Sequence, residues 1–186
     1  MKISITGSTG LFEELENITS YRVDDLLETG RAFEEALTSD VFINYANHSQ
    51  LELMELFYNE WQEDDTKMII NISSRAAQPN ISVGKLYAAR KAALNHYSNN
   101  AVYNDKLKQC RITTINLGMM ESEELPSLKW KEVALFLNWY WKLPYHIEIP
   151  ELTLQNSENY RRVQDDKEML KDAMHLVNSW QNSLRK

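Results

Sequence analysis

The sequence predicts an α/β protein built on a doubly wound, mostly parallel sheet. Short apolar segments typical of strands alternate along the chain with segments whose apolar residues recur at helical spacing. No internal repeat or low-complexity segment interrupts this alternation, and the first strand ends in a glycine turn. Alternating strands and helices form βαβ units, whose helices cover both faces of a parallel sheet. The length of 186 residues suits one domain of this kind.

Six segments have the character of strands, and two of them, Val41–Tyr45 and Met68–Ile72, are apolar except for one asparagine each, which is typical of buried parallel strands. The predicted strands are Lys2–Thr6, Ile18–Val23, Val41–Tyr45, Met68–Ile72, Arg111–Leu117 and a short strand within His146–Leu154. Proline cannot donate a hydrogen bond to a neighbouring strand. Pro150 therefore places the last strand at an edge of the sheet or at a bend.

The segments between these strands predict helices. They are a helix of at most two turns within Leu11–Asn17, then Asp25–Leu37, Leu51–Trp61, Val83–Tyr97 and Trp130–Trp141. A final amphipathic helix is predicted over Asn159–Leu184, which either docks on its own domain or packs across a subunit interface. We therefore divide the chain into an α/β domain of residues 1–155 and a C-terminal amphipathic helix of residues 156–186.

Composition excludes several classes of function. The net charge of −7 disfavours binding to nucleic acid, and no apolar run approaches the roughly 18–20 residues that cross a membrane. Cys110 is the only cysteine, and we recognise no signal peptide, so we expect a cytoplasmic protein without a disulfide framework. The four histidines have no metal-ligand spacing, which predicts no metal site.

Small and polar residues follow the predicted strands, at the edge where parallel sheets bind ligands. They are Gly7–Gly10, Asp24 and Asp25, Asn44–Asn47, Ser73 and Ser74, and Asn116–Gly118. A cofactor site is therefore predicted at the carboxyl ends of the strands.

The turn after the first strand predicts contacts to a dinucleotide through Gly7, Ser8, Thr9 and Gly10. Glycines in a turn between a strand and a helix let the backbone approach a pyrophosphate. The usual third glycine is replaced by Glu13, whose carboxylate would repel phosphate unless it points to solvent. A plain turn is the alternative.

Asp24 follows Gly7 by 17 residues. Dinucleotide-binding units place an acidic residue about 20 residues on, where it binds the ribose hydroxyls. Asp24 or Asp25 is equally suited to cap the following helix, and the two roles are compatible.

Tyr87 and Lys91 are four positions apart and therefore share one face of the predicted helix. A nearby ammonium favours the phenolate form of a tyrosine, which then serves as a general acid and base for a hydroxyl or carbonyl group. An amphipathic helix with a surface lysine is the alternative. Two further polar residues precede this pair: Ser74 lies 13 residues before Tyr87, and Asn47 lies 27 residues before Ser74.

These segments together resemble the short-chain dehydrogenase/reductase family. The matching pieces occur in family order: ITGSTG, DVFINYAN, IINISS, YAARK, INLG and a closing EIPELTL. The likeness covers about residues 1–155 and implies an unusually short member, with a trimmed Rossmann-like sheet and an extra C-terminal helix. The family's spacing selects Ser74 over Ser73 and places its catalytic asparagine at Asn47.

The resemblance implies hydride transfer between NAD or NADP and a small alcohol or carbonyl compound. Tyr87 would be the general acid and base, Lys91 would hold the nicotinamide ribose, Ser74 would bind the substrate oxygen and Asn47 would support a proton relay. It also implies cofactor contacts at Asn44, Ala46, Lys91 and Gly118. The preferred cofactor stays open, because Asp24 favours NAD whereas Arg22 and Arg31 could receive a 2′-phosphate.

Departures from the family pattern support an alternative function. Glu13 breaks the phosphate fingerprint, the first crossover is short, and few residues follow Gly118 where the family has its substrate lid. A non-catalytic nucleotide-sensing or interaction protein is therefore the second hypothesis. The alanine-rich helix around Ala88–Ala93 permits close helix packing, and the resemblance implies a homodimer or homotetramer.

Overall fold

The computed structural model describes residues 1–7, 10–46, 48–79 and 84–158. It contains one six-stranded sheet in which every neighbouring pair of strands is parallel. The strands are β1 (Ile3–Thr6), β2 (Ile18–Tyr21), β3 (Val41–Asn44), β4 (Met68–Ser74), β5 (Arg111–Leu117) and β6 (Glu151–Leu154). The predicted α/β fold is confirmed, and β6 lies at a sheet edge as Pro150 predicted.

The strand order is β2-β1-β3-β4-β5-β6, so the winding of the chain reverses at β1. Strand β1 pairs with β2 on one side and with β3 on the other. In sheets of this kind the ligand crevice lies at the carboxyl ends of the strands on either side of the reversal. The topology therefore places the glycine turn after β1 beside the loop after β3.

Six helices connect the strands in the described residues, and their lengths differ from the sequence prediction in two places. The helices are α1 (Leu11–Glu14), α2 (Val23–Leu27), α3 (Arg31–Leu37), α4 (Gln50–Trp61), α5 (Lys85–Asn104) and α6 (Trp130–Tyr140). The predicted helix over Asp25–Leu37 is two helices, because Thr29 adopts a positive φ of 52° and Gly30 is extended. Helix α5 continues to Asn104, beyond the apolar pattern that predicted its end at Tyr97.

The sheet has a hydrophobic core on each face. Helices α1 and α6 cover one face through residues such as Leu11 and Leu137, and α2 to α5 cover the other. Successive strand residues point to opposite faces, so Phe42 packs under α4 while Ile43 packs under α1 and α6. Phe57 of α4 stacks on Phe42 at a centroid distance of 3.5 Å. This ring pair fixes α4, whose amino end borders the crevice.

The predicted C-terminal helix over Asn159–Leu184 lies outside the described residues. Within the part of the chain that the structure does describe, no helix combines the length and the apolar character that crossing a membrane requires.

We expect Phe57→Ala to lower the free energy of unfolding by about 3–5 kcal/mol, because the ring is fully buried and also contacts Phe33 and Trp61. Urea denaturation followed by circular dichroism measures the change. Leu135→Ala is the control: its side chain is 72% exposed, so the expected change is within about 0.5 kcal/mol. Equal effects of the two substitutions would contradict this assignment of the core.

Candidate active site

A cavity of about 250 Å³ opens at the carboxyl ends of β4 and β5. Helix α5 and the start of α6 form its other walls. Its lining includes Tyr45, Ser74, Tyr87, Lys91, Gly118 and Trp130. The fold therefore brings together four residues that the sequence placed in a site, namely Ser74, Tyr87, Lys91 and Gly118.

Helix α5 presents Tyr87 and Lys91 on one face, one turn apart. The Tyr87 side chain is 46% exposed, whereas Lys91 is only 7% exposed. The Lys91 ammonium lies 5.6 Å from the centroid of the Tyr87 ring. The tyrosine is thus open to the cavity and to solvent, with a buried positive charge beneath its ring.

Two neutral oxygens hold the Lys91 ammonium. Its Nζ donates to the side-chain Oε1 of Gln50 at 2.5 Å and to the main-chain carbonyl of Ile72 at 3.0 Å. No carboxylate among the described residues is recorded in an ion pair with it. Burial without a compensating negative charge disfavours the charged form and lowers the pKa of Lys91 to about 8.

The two serines at the end of β4 have different surroundings. The Ser73 hydroxyl is buried and donates to Oδ1 of Asn95 at 2.6 Å. The Ser74 Oγ lies at the rim and accepts a hydrogen bond from the Ala76 main-chain N–H at 3.1 Å. A hydroxyl has one hydrogen to donate. This arrangement commits the Ser73 hydrogen to Asn95 and leaves the Ser74 hydrogen for a group in the cavity.

Two aromatic rings cover the glycine turn. A Cβ atom on Gly10 would lie 2.2 Å from Cδ1 of Trp130, and one on Gly7 would lie 3.8 Å from Cδ1 of Tyr45. The rings of Tyr45 and Trp130 meet edge to face with centroids 5.3 Å apart. Burial, with a smaller contribution from nearby Tyr87, raises the pKa of the Tyr45 hydroxyl. Glycine is therefore required at position 10, because any side chain there would collide with the Trp130 ring.

The other predicted cofactor contacts lie partly outside this cavity. Asn44 is fully buried, and its Nδ2 donates to the Gln50 carbonyl and to Oδ1 of Asn71. Ala46 is buried, and its N–H donates to Oγ1 of Thr6. The Asn44 side chain and the Ala46 main chain therefore link strand ends, because this edge of the sheet contains polar groups that need partners.

Asp24 does not line the cavity. It lies in the first turn of α2, exposed to solvent and 4.0 Å from Arg22. The expectation that Asp24 or Asp25 caps this helix is wrong, because Arg22 occupies the N-cap position. Carboxylates within the first turn still favour the helix, since they lie near the positive end of its dipole.

Three predicted residues, Ser8, Thr9 and Asn47, lie outside the described residues. Gln50 and Trp130 also belong to the site, although no motif in the sequence predicts a role for them, and no specific role was predicted for Tyr45. Gln50 follows Asn47 by three residues, which is the only sequence signal that pointed near it.

The cavity fits a nicotinamide ribose better than the glycine turn fits a pyrophosphate. Lys91 supplies a buried donor, whereas Gly118 is required by the packing of Gln155, since a Cβ there would meet Cβ of Gln155 at 2.8 Å. At the glycine turn, Trp130 covers Gly10, and α1 is a single turn of helix. Glu13 is exposed, so its carboxylate points to solvent. The described residues include no group of three or more side chains suited to bind a metal ion.

Comparison with known proteins places this site in a family. The family described as short chain dehydrogenase matches residues 29–132, just over half of the chain. No curated protein matches the sequence.

Many solved structures share the fold. Serine dehydrogenase from Escherichia coli is 22% identical, with a TM-score of 0.61; the match covers 82% of this chain and 85% of the serine dehydrogenase chain. Coverages below are given in the same order. A short chain dehydrogenase from Burkholderia cenocepacia in complex with NADP is 14% identical, with a TM-score of 0.66 and coverage of 92% and 96%. A short-chain dehydrogenase from Streptomyces avermitilis is 13% identical, with a TM-score of 0.64 and coverage of 100% and 99%.

The depressed pKa of Lys91 predicts a pH dependence of stability. Between about pH 8 and 10.5 the unfolded chain holds a proton on Lys91 that the folded protein has released, so stability from this group rises with pH. We expect the wild-type protein to gain about 2 kcal/mol relative to Lys91→Met between about pH 7 and pH 9.5.

Chemical denaturation of both proteins across this pH range measures the difference. Subtracting the Lys91→Met curve from the wild-type curve removes the contributions of other buried groups. One such group is Cys110, whose pKa burial raises to about 12, so that its contribution to stability falls as the pH rises. Parallel stability curves for the two proteins would contradict the prediction.

Proposed function

Because the chain belongs to the short chain dehydrogenase family, we propose that it is an NAD(P)-dependent oxidoreductase. It would move a hydride between the nicotinamide ring and a small alcohol or carbonyl compound. The observation that carries this proposal is the grouping of Ser74, Tyr87 and Lys91 around one cavity at the carboxyl edge of the sheet. Similar solved structures hold NADP, NAD or NADH, which supports a nicotinamide cofactor without deciding between the two forms.

The nicotinamide cofactor, when bound, would accept or donate the hydride. Tyr87 is the group that would exchange a proton with the substrate oxygen, since its side chain borders the cavity and is half exposed. The Lys91 ammonium beneath the ring would stabilise negative charge as the tyrosine gives up its proton. Ser74 would donate its remaining hydrogen to the substrate oxygen and so fix its position. Asn47 stays a candidate for the proton relay.

The walls of the cavity limit the substrate. Tyr45 and Trp130 meet edge to face on one side and expose aromatic surface to the same space as the polar groups. The cavity of about 250 Å³ would have to hold both the nicotinamide ring and the reacting part of the substrate, which favours a small substrate. Cofactor contacts are proposed at Lys91 and Gly118 in the cavity and along the turn Gly7–Gly10, with Asp24 as a candidate for the ribose hydroxyls.

A nucleotide-sensing or interaction protein is the second candidate. The specific observation in its favour is the Trp130 ring on Gly10, which fills the space that a pyrophosphate would approach. A protein of this kind would keep the fold and the cavity without turnover.

We expect Tyr87→Phe to lower kcat at least about 100-fold while leaving the dissociation constant of the cofactor within about twofold, because only proton transfer is removed. Calorimetric titration with NADH and NADPH identifies the cofactor first, and turnover on a panel of small carbonyl compounds follows. Tyr103→Phe is the control, since Tyr103 lies in the last turn of the same helix and is 69% exposed. Binding without turnover, or no binding up to millimolar cofactor, would favour the second candidate.

We expect Trp130→Ala to tighten binding of NADH or NADPH at least about threefold, because removal of the ring frees Gly10 to approach the pyrophosphate. Trp139→Ala, on the same helix and 52% exposed, should leave the affinity unchanged. Calorimetry measures both variants without relying on tryptophan fluorescence. Weaker binding by Trp130→Ala alone would mean that the ring contacts the cofactor instead of excluding it.

A further inference from the structure

The Gln50 side chain is locked against Lys91 at the carboxyl ends of β3 and β4. It is the first residue of α4 and is 8% exposed. Its Nε2 donates to the Asn44 carbonyl at 2.8 Å and to the Ile72 carbonyl at 3.0 Å, at the carboxyl ends of β3 and β4. The Asn44 side chain returns a hydrogen bond to the Gln50 carbonyl at 2.7 Å. Two main-chain carbonyls therefore hold the Gln50 side chain in one rotamer, and the Asn44 side chain fixes the main chain of Gln50.

The hydrogen bonds permit only one orientation of the Gln50 amide. Both N–H groups are used by carbonyl oxygens, so Oε1 must face the Lys91 ammonium at 2.5 Å. A flipped amide would place N–H against N–H⁺ and oxygen against two carbonyls, and every contact would become repulsive. The strand ends thus dictate where the acceptor for Lys91 lies.

The Ile72 carbonyl completes the arrangement. It accepts from Gln50 Nε2 and from Lys91 Nζ, both at 3.0 Å, and two donors match its two lone pairs. An ammonium has three hydrogens, of which Gln50 and Ile72 take two. The third is left for the cavity side, where the Tyr87 ring lies.

We infer that Gln50 is a positioning residue that holds the Lys91 ammonium at the candidate active site through its Oε1 atom. The catalytic meaning of this inference rests on the proposed function, whereas the contact between Gln50 and Lys91 is independent of it. A neutral acceptor orients the ammonium and leaves its positive charge uncancelled, whereas a carboxylate would neutralise it. Gln50 thus keeps the charge available to Tyr87 and to a bound ribose.

Several other ionisable groups surround Lys91 and must be separated from Gln50 in any test. A second cavity of about 270 Å³, between the start of α4 and α5, is lined by Gln50 and shares Tyr87 and Lys91 with the first. Three further charged or titratable side chains line it: His48, Glu52 and Arg90. Tyr45 borders the first cavity on the opposite side. Glu52→Gln is a suitable control, since it removes a carboxylate from the second cavity and leaves the Gln50 amide in place.

The test is an NMR titration of Lys91, with ¹³C-labelled lysine and assignment by the signal missing in Lys91→Met. We expect Gln50→Glu to raise the titration midpoint by at least about one pH unit, because a carboxylate favours the ammonium. Gln50→Met removes the acceptor and should lower the midpoint by about half a unit or more. Glu52→Gln should move it by less than about a third of the Gln50→Glu shift. Circular dichroism verifies the fold of each variant.

Midpoints unchanged in both Gln50 variants would overturn the inference, even if the enzyme is active. Shifted midpoints in a protein that turns over no carbonyl compound would support the Gln50 contact and reject the proposed function. In an active enzyme, Gln50→Met should lower kcat about tenfold with KM within about twofold, and the basic limb of the pH profile should move with the NMR midpoint. If Gln50 had a purely structural role, its substitutions would lower the free energy of unfolding without moving the NMR midpoint of Lys91 or the basic limb of the pH profile.

Discussion

The site depends on the burial of one positive charge at the end of a parallel sheet. Lys91 is 7% exposed and meets only a side-chain amide and a main-chain carbonyl among its recorded hydrogen-bond partners. Burying a charge without a counter-ion is costly, and the cost is reduced here by two well-placed acceptors. A methionine of similar length would satisfy packing alone, so the cost of burying this charge supports the proposed role of Lys91 in a functional site.

Rigid strand ends make this arrangement possible. The Thr6 hydroxyl accepts hydrogen bonds from the Tyr45 and Ala46 N–H groups, which ties β1 to the loop after β3. The Asn44 side chain reaches Asn71 on β4, and Ser73 reaches Asn95 on α5. Each contact satisfies a buried polar group and at the same time fixes a residue beside the cavity. The carboxyl edge of the sheet thus holds its polar groups in place before any ligand binds.

Local patterns explain what the sequence could predict. Continuous apolar strands, helical spacing and the four-residue step from Tyr87 to Lys91 are short-range features, so the sheet and this pair were predictable. The amide of Gln50 and the ring of Trp130 acquire their roles only through contacts between distant elements, which spacing does not encode. Asp24 had the right spacing but no partner in the cavity, because α2 directs it to solvent. Spacing in the sequence therefore predicted the Tyr87–Lys91 pair but not Gln50 and Trp130, which pack around it.

The two ends of the site are built under different constraints. Gln50 of α4 and Ile72 of β4 accept hydrogen bonds from the Lys91 ammonium, and Asn44 of β3 holds Gln50 in place, which is the organisation expected where a charge must be held still. At the glycine turn, the missing side chain of Gly10 is matched by the ring of Trp130, and a single turn of α1 offers little dipole to a phosphate. The Trp130 ring occupies the position that a Cβ on Gly10 would take, so it limits the space beside this glycine. The proposed Trp130→Ala variant therefore tests how this ring affects the binding of a dinucleotide next to the charge of Lys91.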